Sequence, residues 1–277
     1  MMQHLKEIFQ RLNLNDQLLA LVNGQIDIPY LDRFNQPDGY WYPHPPAMVP
    51  VFLGYGASYY GLLHHFFFER EKTFVEYSLE RGYMLEYARN ANQFFAQMVL
   101  DMDIVADGLN DRILKFCEDI AFKEFKQVDD FADQYGDITD DYDKLVHLTN
   151  DTPLTYVQSL ASYNGDYPAS IKLFNARQIS NCCTFEIDES WYMNNIDQLP
   201  RWFKKEIPQD ELFRDYLDND DLKSAWLTLN SSGWKLKDVA EGLNILTRKT
   251  DDPLFHLVAA NWMEGFRNSA DVNNHCY

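Results

Sequence analysis

Cysteine is scarce and positive charge is short: four cysteines in 277 residues, and 24 Lys and Arg against 43 Asp and Glu. Cys117, Cys182, Cys183 and Cys276 contain no CxxC pair, which excludes a zinc ribbon and a disulfide scaffold and points to reduced thiols in a reducing compartment. No apolar run reaches the roughly 18 residues a spanning helix needs. The N-terminal MMQHLKEIFQRLN lacks both the apolar segment and the small-residue cleavage site of a signal peptide. The expectation is a soluble, cytoplasmic chain with no membrane contact. The formal net charge of −19 repels phosphate backbones and argues against nucleic acid as a ligand.

Catalytic and cofactor signatures are missing too. A nucleophile elbow needs Gly two residues to either side of its Ser; Gly56 precedes Ser58, but Tyr60 stands where the second Gly belongs. Gly54, Gly56 and Gly61 have neither phosphate-loop spacing nor a following Lys-Ser or Lys-Thr pair, and fit turn and bulge positions better. His64 and His65 are neighbours on a predicted strand, so they point to opposite faces and do not jointly hold a metal, even with His44 upstream. From Asp137 an EF-hand would place Gly at 142 and Glu at 148, where Tyr and Leu stand. Glu186 and Asp188, flanking Trp191, are residue types able to serve acid–base work on a sugar, but in so acidic a chain the pairing reads as coincidence. The sequence implies no cofactor and no metal.

What is present is a folded core. Hydrophobic residues make up 46% and aromatics 15%, the latter suited to sheets and to contact surfaces. From Met48 to Leu100, apolar and aromatic segments are broken at 54–56, 69–72 and 80–82, the pattern of an antiparallel meander. The predicted strands are Met48–Leu53, Ser58–Phe68, Thr73–Ser78 and Gly82–Tyr87. A helix follows from about Asn90, since Phe94, Phe95, Met98 and Val99 recur at helical spacing. Upstream, Leu5, Ile8, Phe9 and Leu12 share a helical face, and Asp16 is the predicted cap of a second helix. Pro-rich 32–47 is a loop whose Tyr40, Trp41 and Tyr42 either cover the sheet or offer a binding surface.

Downstream, Asp111–Phe125 is predicted helical, and 149–153 marks a soft boundary. Beyond it Pro153–Ser162 and Ala169–Asn175 read as helices, Cys183–Ile187 as a lone strand, and the rest as helices, the clearest being Lys235–Lys249 and Pro253–Arg267. The expected fold is α+β. Residues 1–149 form an antiparallel sheet with flanking helices, and 150–277 a mostly helical region able to pack on the first part as one unit.

Within the meander, VPVFLGYGASYYGL (49–62) and EYARNANQFF (86–95), with Ala88 and Phe94 leading into a helix, resemble the SUKH superfamily. The likeness spans residues 48–100. That family's N-terminal Trp is not clearly present, and Leu21-Val22-Asn23-Gly24 only partly echoes its Leu-Pro and Asn-Gly-Gly stretch. The resemblance implies a bacterial immunity protein that binds and neutralises a cognate toxin.

Charge points the same way. Between Asp101 and Lys144 stand 14 acidic and 5 basic residues, net −9 of the chain's −19. A solvated face is the default for such a run. Interleaved aromatics make it the candidate for gripping a basic protein such as a nuclease toxin. The candidate contact residues are Asp129, Asp130, Asp133, Asp137, Asp140, Asp141, Asp143 and Tyr135, with Tyr40 and Trp41 from the Pro-rich loop. Two alternatives stay open: a hydrolase built on His44, His64, His65 or Ser58, and a regulatory or scaffold module.

Overall fold

The computed structural model describes residues 2–32, 34–37, 41–79, 83–136, 138–157, 163–165, 197, 201–203, 208–231 and 233–269. Helix α1 (Met2–Arg11) buries the predicted face, Leu5, Ile8 and Phe9, and Leu12 just beyond it is buried too. Helix α2 (Asp16–Val22) is capped one residue before the expected position. Asn15, held extended, accepts the Leu18 N–H at 2.8 Å, leaving Asp16 inside the first turn.

The meander is present as one antiparallel sheet in the order β1 (Met48–Leu53), β2 (Ser58–Leu63), β3 (Thr73–Ser78) and β4 (Tyr83–Ala88). Two strands differ from expectation. β4 runs to Ala88, one residue further than predicted. β2 stops at Leu63, well short of Phe68. His64 and His65 therefore lie beyond the strand, so the opposite-face argument does not apply to them. The aromatic run Phe66–Phe68 has the composition of a strand, but Phe67 turns into the left-handed region (φ 69°). Phe66 and Phe67 instead meet Phe255 at 5.1 and 5.2 Å and Trp226 at 5.6 and 6.1 Å. Tertiary packing overrides local strand preference.

All six residues of β2 are buried, so the sheet is covered on both faces. On one face, α3 (Ala91–Ala106) lays Phe94 over Phe74 at 4.7 Å and Phe52 at 6.4 Å. Its cap is Asn90, whose side chain accepts the Gln93 N–H at 3.0 Å. On the other face Tyr59 meets Tyr42 and His44 at 5.7 and 5.3 Å.

The helix expected over 111–125 is two helices. α4 (Asp111–Asp119) closes through Phe122 N–H to the Cys117 carbonyl, with Ala121 left-handed (φ 55°), and α5 begins at Phe125 and ends at Tyr135. Burial of Phe122 against His147, 5.2 Å between rings, holds the break. Single 3-10 turns follow at Thr139–Lys144 and Leu154–Tyr156. The latter stands where a full helix was expected, and 158–162 lie outside the described residues, as do the expected helix 169–175 and strand 183–187.

The C-terminal part is helical: a 3-10 turn at Arg201–Phe203, then α6 (Gln209–Asp218), α7 (Leu222–Leu229), α8 (Leu236–Thr247) and α9 (Pro253–Asn268). Asp252 caps α9 by accepting from Leu254 and Phe255, with Pro253 in the first turn as predicted. The described chain is thus α+β, with nine α-helices and one four-stranded sheet. One buried cluster contains residues from both sides of 149–153. Long-range hydrogen bonds tie the two parts, among them Trp262 Nε1 to the His44 carbonyl (2.8 Å), Trp226 Nε1 to His65 Nδ1 (3.1 Å), and Ala47 N to Asn230 Oδ1 (2.7 Å).

Candidate functional site

Helix α5 buries Val128 and Phe131, three residues apart, and this spacing turns Asp130 outward while Asp129 lies toward Asp103 of α3. Asp130 and Asp133 are exposed and Asp129 is half-buried. After Tyr135 the chain folds back through the 139–144 turn, where Tyr142 and Leu145 are buried. Between helix and turn lies an open groove of about 410 Å³, lined by Gln127, Asp130, Phe131, Gln134, Tyr135, Lys144 and Val146. Tyr135 packs on Phe131 at 4.9 Å, and Gln134 Nε2 donates to its phenol oxygen at 2.9 Å. Lys144 reaches into the groove, with its ammonium 4.9 Å from the Tyr135 ring centre and bonded to the Asp141 carboxylate. Val146 and Ile138 remain 50% and 54% exposed, so aliphatic surface lies among the acids.

Seven of the candidate contact residues, Asp129, Asp130, Asp133, Tyr135, Asp140, Asp141 and Asp143, thus fall on α5 or the turn after it. Asp143 is half-buried in that turn, with one buried carboxylate oxygen lacking a hydrogen bond. Asp140 lies on the same turn by its backbone. Asp137 and Tyr40 lie outside the described residues. Trp41 is elsewhere. Its ring meets Trp262 and His44 at 5.4 and 5.5 Å and covers Gly265, none of which borders the groove.

Behind the groove is a residue the charge count did not single out. Asp103, on α3, is 2% exposed and faces α5. Burial first, then the neighbouring carboxylates of Asp129 and Asp133, push its carboxyl up to about 6. One of its oxygens has no hydrogen-bond partner. The sequence signal is an acid inside an otherwise apolar helical stretch, Met102-Asp103-Ile104.

A second polar cluster joins β4 to the segment after α5. Glu86, fully buried, accepts from Leu154 N at 3.1 Å and Tyr163 Oη at 2.9 Å. Arg89 donates to Glu71 at 2.6 Å, to Asp151 at 3.4 Å and to Asn164, and lies over the Tyr163 ring. Gln93 donates to the carbonyls of His147 and Asp151. These groups bond mainly to one another, with Arg89 Nε left without a hydrogen-bond partner, and that suits a clamp rather than a site.

The residues behind the hydrolase alternative are engaged in packing. Ser58 Oγ donates to the Tyr55 carbonyl at 2.7 Å. His44 Nδ1 bonds the Tyr42 carbonyl at 2.7 Å, and burial lowers its pKa to about 4. His65 accepts from Trp226 and is held well below the usual histidine range by burial, and His64 is lowered to about 4. Among the described residues no three His, Cys, Asp or Glu side chains are grouped to hold a metal ion, and no helix is long and apolar enough to cross a membrane. Cys117 is buried and unbridged, its thiol pushed up to about 12. Glu186, Asp188, Trp191, Cys182, Cys183 and Cys276 lie outside the described residues.

Compared with protein families, curated proteins and solved structures, the chain matches none.

Proposed function

We propose that the protein is a non-catalytic binder that docks a basic protein on the acidic face of α5 and the 139–144 turn. Its biological role would be that of an immunity protein, occluding a cognate toxin. The observation that carries this is the groove: aromatic and aliphatic walls with Asp130 in the lining and the Asp141 carboxylate beside Lys144, the surface a cationic, partly apolar protein segment fits. The −19 net charge supplies long-range attraction. The motif resemblance over 48–100 lends support, and it lies in the sheet and helix on which α5 packs.

The test is co-expression with the product of the adjacent gene. Cells that make that product survive only when this protein is made as well, and the association rate of the purified pair falls about tenfold or more between low salt and about 0.5 M. No rescue, or an on-rate indifferent to salt, sinks the proposal.

A further inference from the structure

We infer that the α5 groove takes a lysine or arginine side chain of the partner, and that Lys144 is the groove's own occupant, which the incoming cation displaces. The inference rests on the docking function proposed above and specifies its chemistry. Lys144 already shows what the groove accepts, with an ammonium over the Tyr135 face and a carboxylate, Asp141, to pair it. Phe131 and Val146 offer apolar wall for the methylene stem of a long cationic side chain, while its charge stays at the wet end. Asp130 on the rim adds negative charge on the helix side.

Two cations do not share one ring and one carboxylate, since like charges a few Å apart repel. The partner's cation and the Lys144 ammonium therefore compete. Lys144 is half exposed on a short turn, and its ring contact and surface ion pair are both of the weak, breakable kind. Its side chain can swing to water without disturbing the buried Tyr142 and Leu145 that anchor the turn. The lysine thus keeps the groove filled until a better-placed cation arrives, and it sets a threshold against casual polycation binding.

The probe is an acetylated, amidated tetra-arginine peptide, titrated calorimetrically into the full-length protein at low salt, with tetra-glutamate as control. Lys144→Met, which keeps the stem and removes the charge, binds tetra-arginine about tenfold tighter than wild type, and Lys144→Arg binds as wild type does. Adding Tyr135→Leu to Lys144→Met cancels most of the gain, with thermal melts showing that each variant is folded. If tetra-arginine binds but Lys144→Met and Tyr135→Leu leave its affinity unchanged, the groove assignment is overturned and the acidic binder stands. If tetra-arginine binds none of the proteins, both fail.

Discussion

The indole N–H of Trp226, on α7, meets Nδ1 of His65 at 3.1 Å, joining residues 161 apart in sequence. That geometry makes Nδ1 the acceptor and puts the ring's proton on Nε2, so His65 is neutral in the fold. His44 and His64 are likewise held neutral by burial, each lowered to about 4. For a group whose folded pKa lies below its unfolded value near 6.5, stability is full above 6.5 and is lost as pH falls toward the folded pKa. Three such histidines act together. Urea midpoints should therefore drop steadily between pH 6.5 and 4.5. A Trp226→Phe variant, which leaves His65 Nδ1 unsatisfied, should lose about 1–3 kcal/mol at pH 7.5. A midpoint flat across that range would show the histidines to be solvated.

Asp103 pulls in the opposite direction within the same window. Its folded pKa, about 6, is raised above the ordinary aspartate value, so the protonated form is the one the fold prefers. The contribution is favourable below about 4 and is lost as pH rises through 6. One such acid does not outweigh three histidines, so acid destabilises on balance. Substitution separates the two. Asp103→Asn keeps the shape and removes the charge facing Asp129 and Asp133, so at pH 7.5 it should raise the urea midpoint. At pH 4.5, where Asp103 is already protonated, the variant and wild type should coincide. Equal destabilisation at both pH values would mean that the carboxyl is needed for its hydrogen bonds and not penalised for its charge.

How far the sequence foretold these features depended on the range of the forces involved. The hairpin breaks, the helix starting after Asn90 and Pro253 in the first turn of α9 follow from local chemistry, and all were legible. The end of β2 was not. Phe66–Phe68 reads as strand until Trp226 and Phe255, more than 150 residues downstream, draw the rings out of the ladder. Nor was the split between α4 and α5, which depends on Phe122 finding His147. At the candidate site the acid run could be counted, but the groove depends on the chain returning after Tyr135 to place Lys144 over it. The charge count alone treats Lys144 as a minor offset.

Gly61 tests the packing of the sheet. It sits in β2 opposite Pro50, at the bulge in β1, and a Cβ there would lie 2.5 Å from Met48 Cγ, 2.9 Å from its sulfur and 3.1 Å from the Val49 carbonyl oxygen. The methionine is flexible but buried, and the carbonyl is backbone, so only part of the clash can relax. Gly61→Ala should destabilise by about 1–3 kcal/mol. Shortening the neighbour, Met48→Ala, costs stability alone, yet in the double variant the two losses should sum to less than their separate total. Strict additivity, measured by urea denaturation, would place the strain on the backbone contact and not on Met48.

Arg89 and Glu86 carry the last prediction. Arg89 is nearly buried, with one nitrogen on Glu71 and another on Asp151 and Asn164, a forked arrangement that a single ammonium cannot reproduce. Arg89→Lys should cost about 1–3 kcal/mol. Arg89→Met should cost about 3–5, because buried Glu86 then loses a nearby positive charge. The effect should also be local. Glu86 accepts the Leu154 amide, so Glu86→Gln, which keeps the shape and weakens a charge-assisted bond to a neutral one, should speed hydrogen exchange at Leu154. Exchange at Phe94 and Val99, inside α3 on the other side of the clamp, should change much less. If Leu154 keeps wild-type protection in Glu86→Gln while global stability falls, the carboxylate supports the sheet as a whole and does not clamp the 147–157 segment to it.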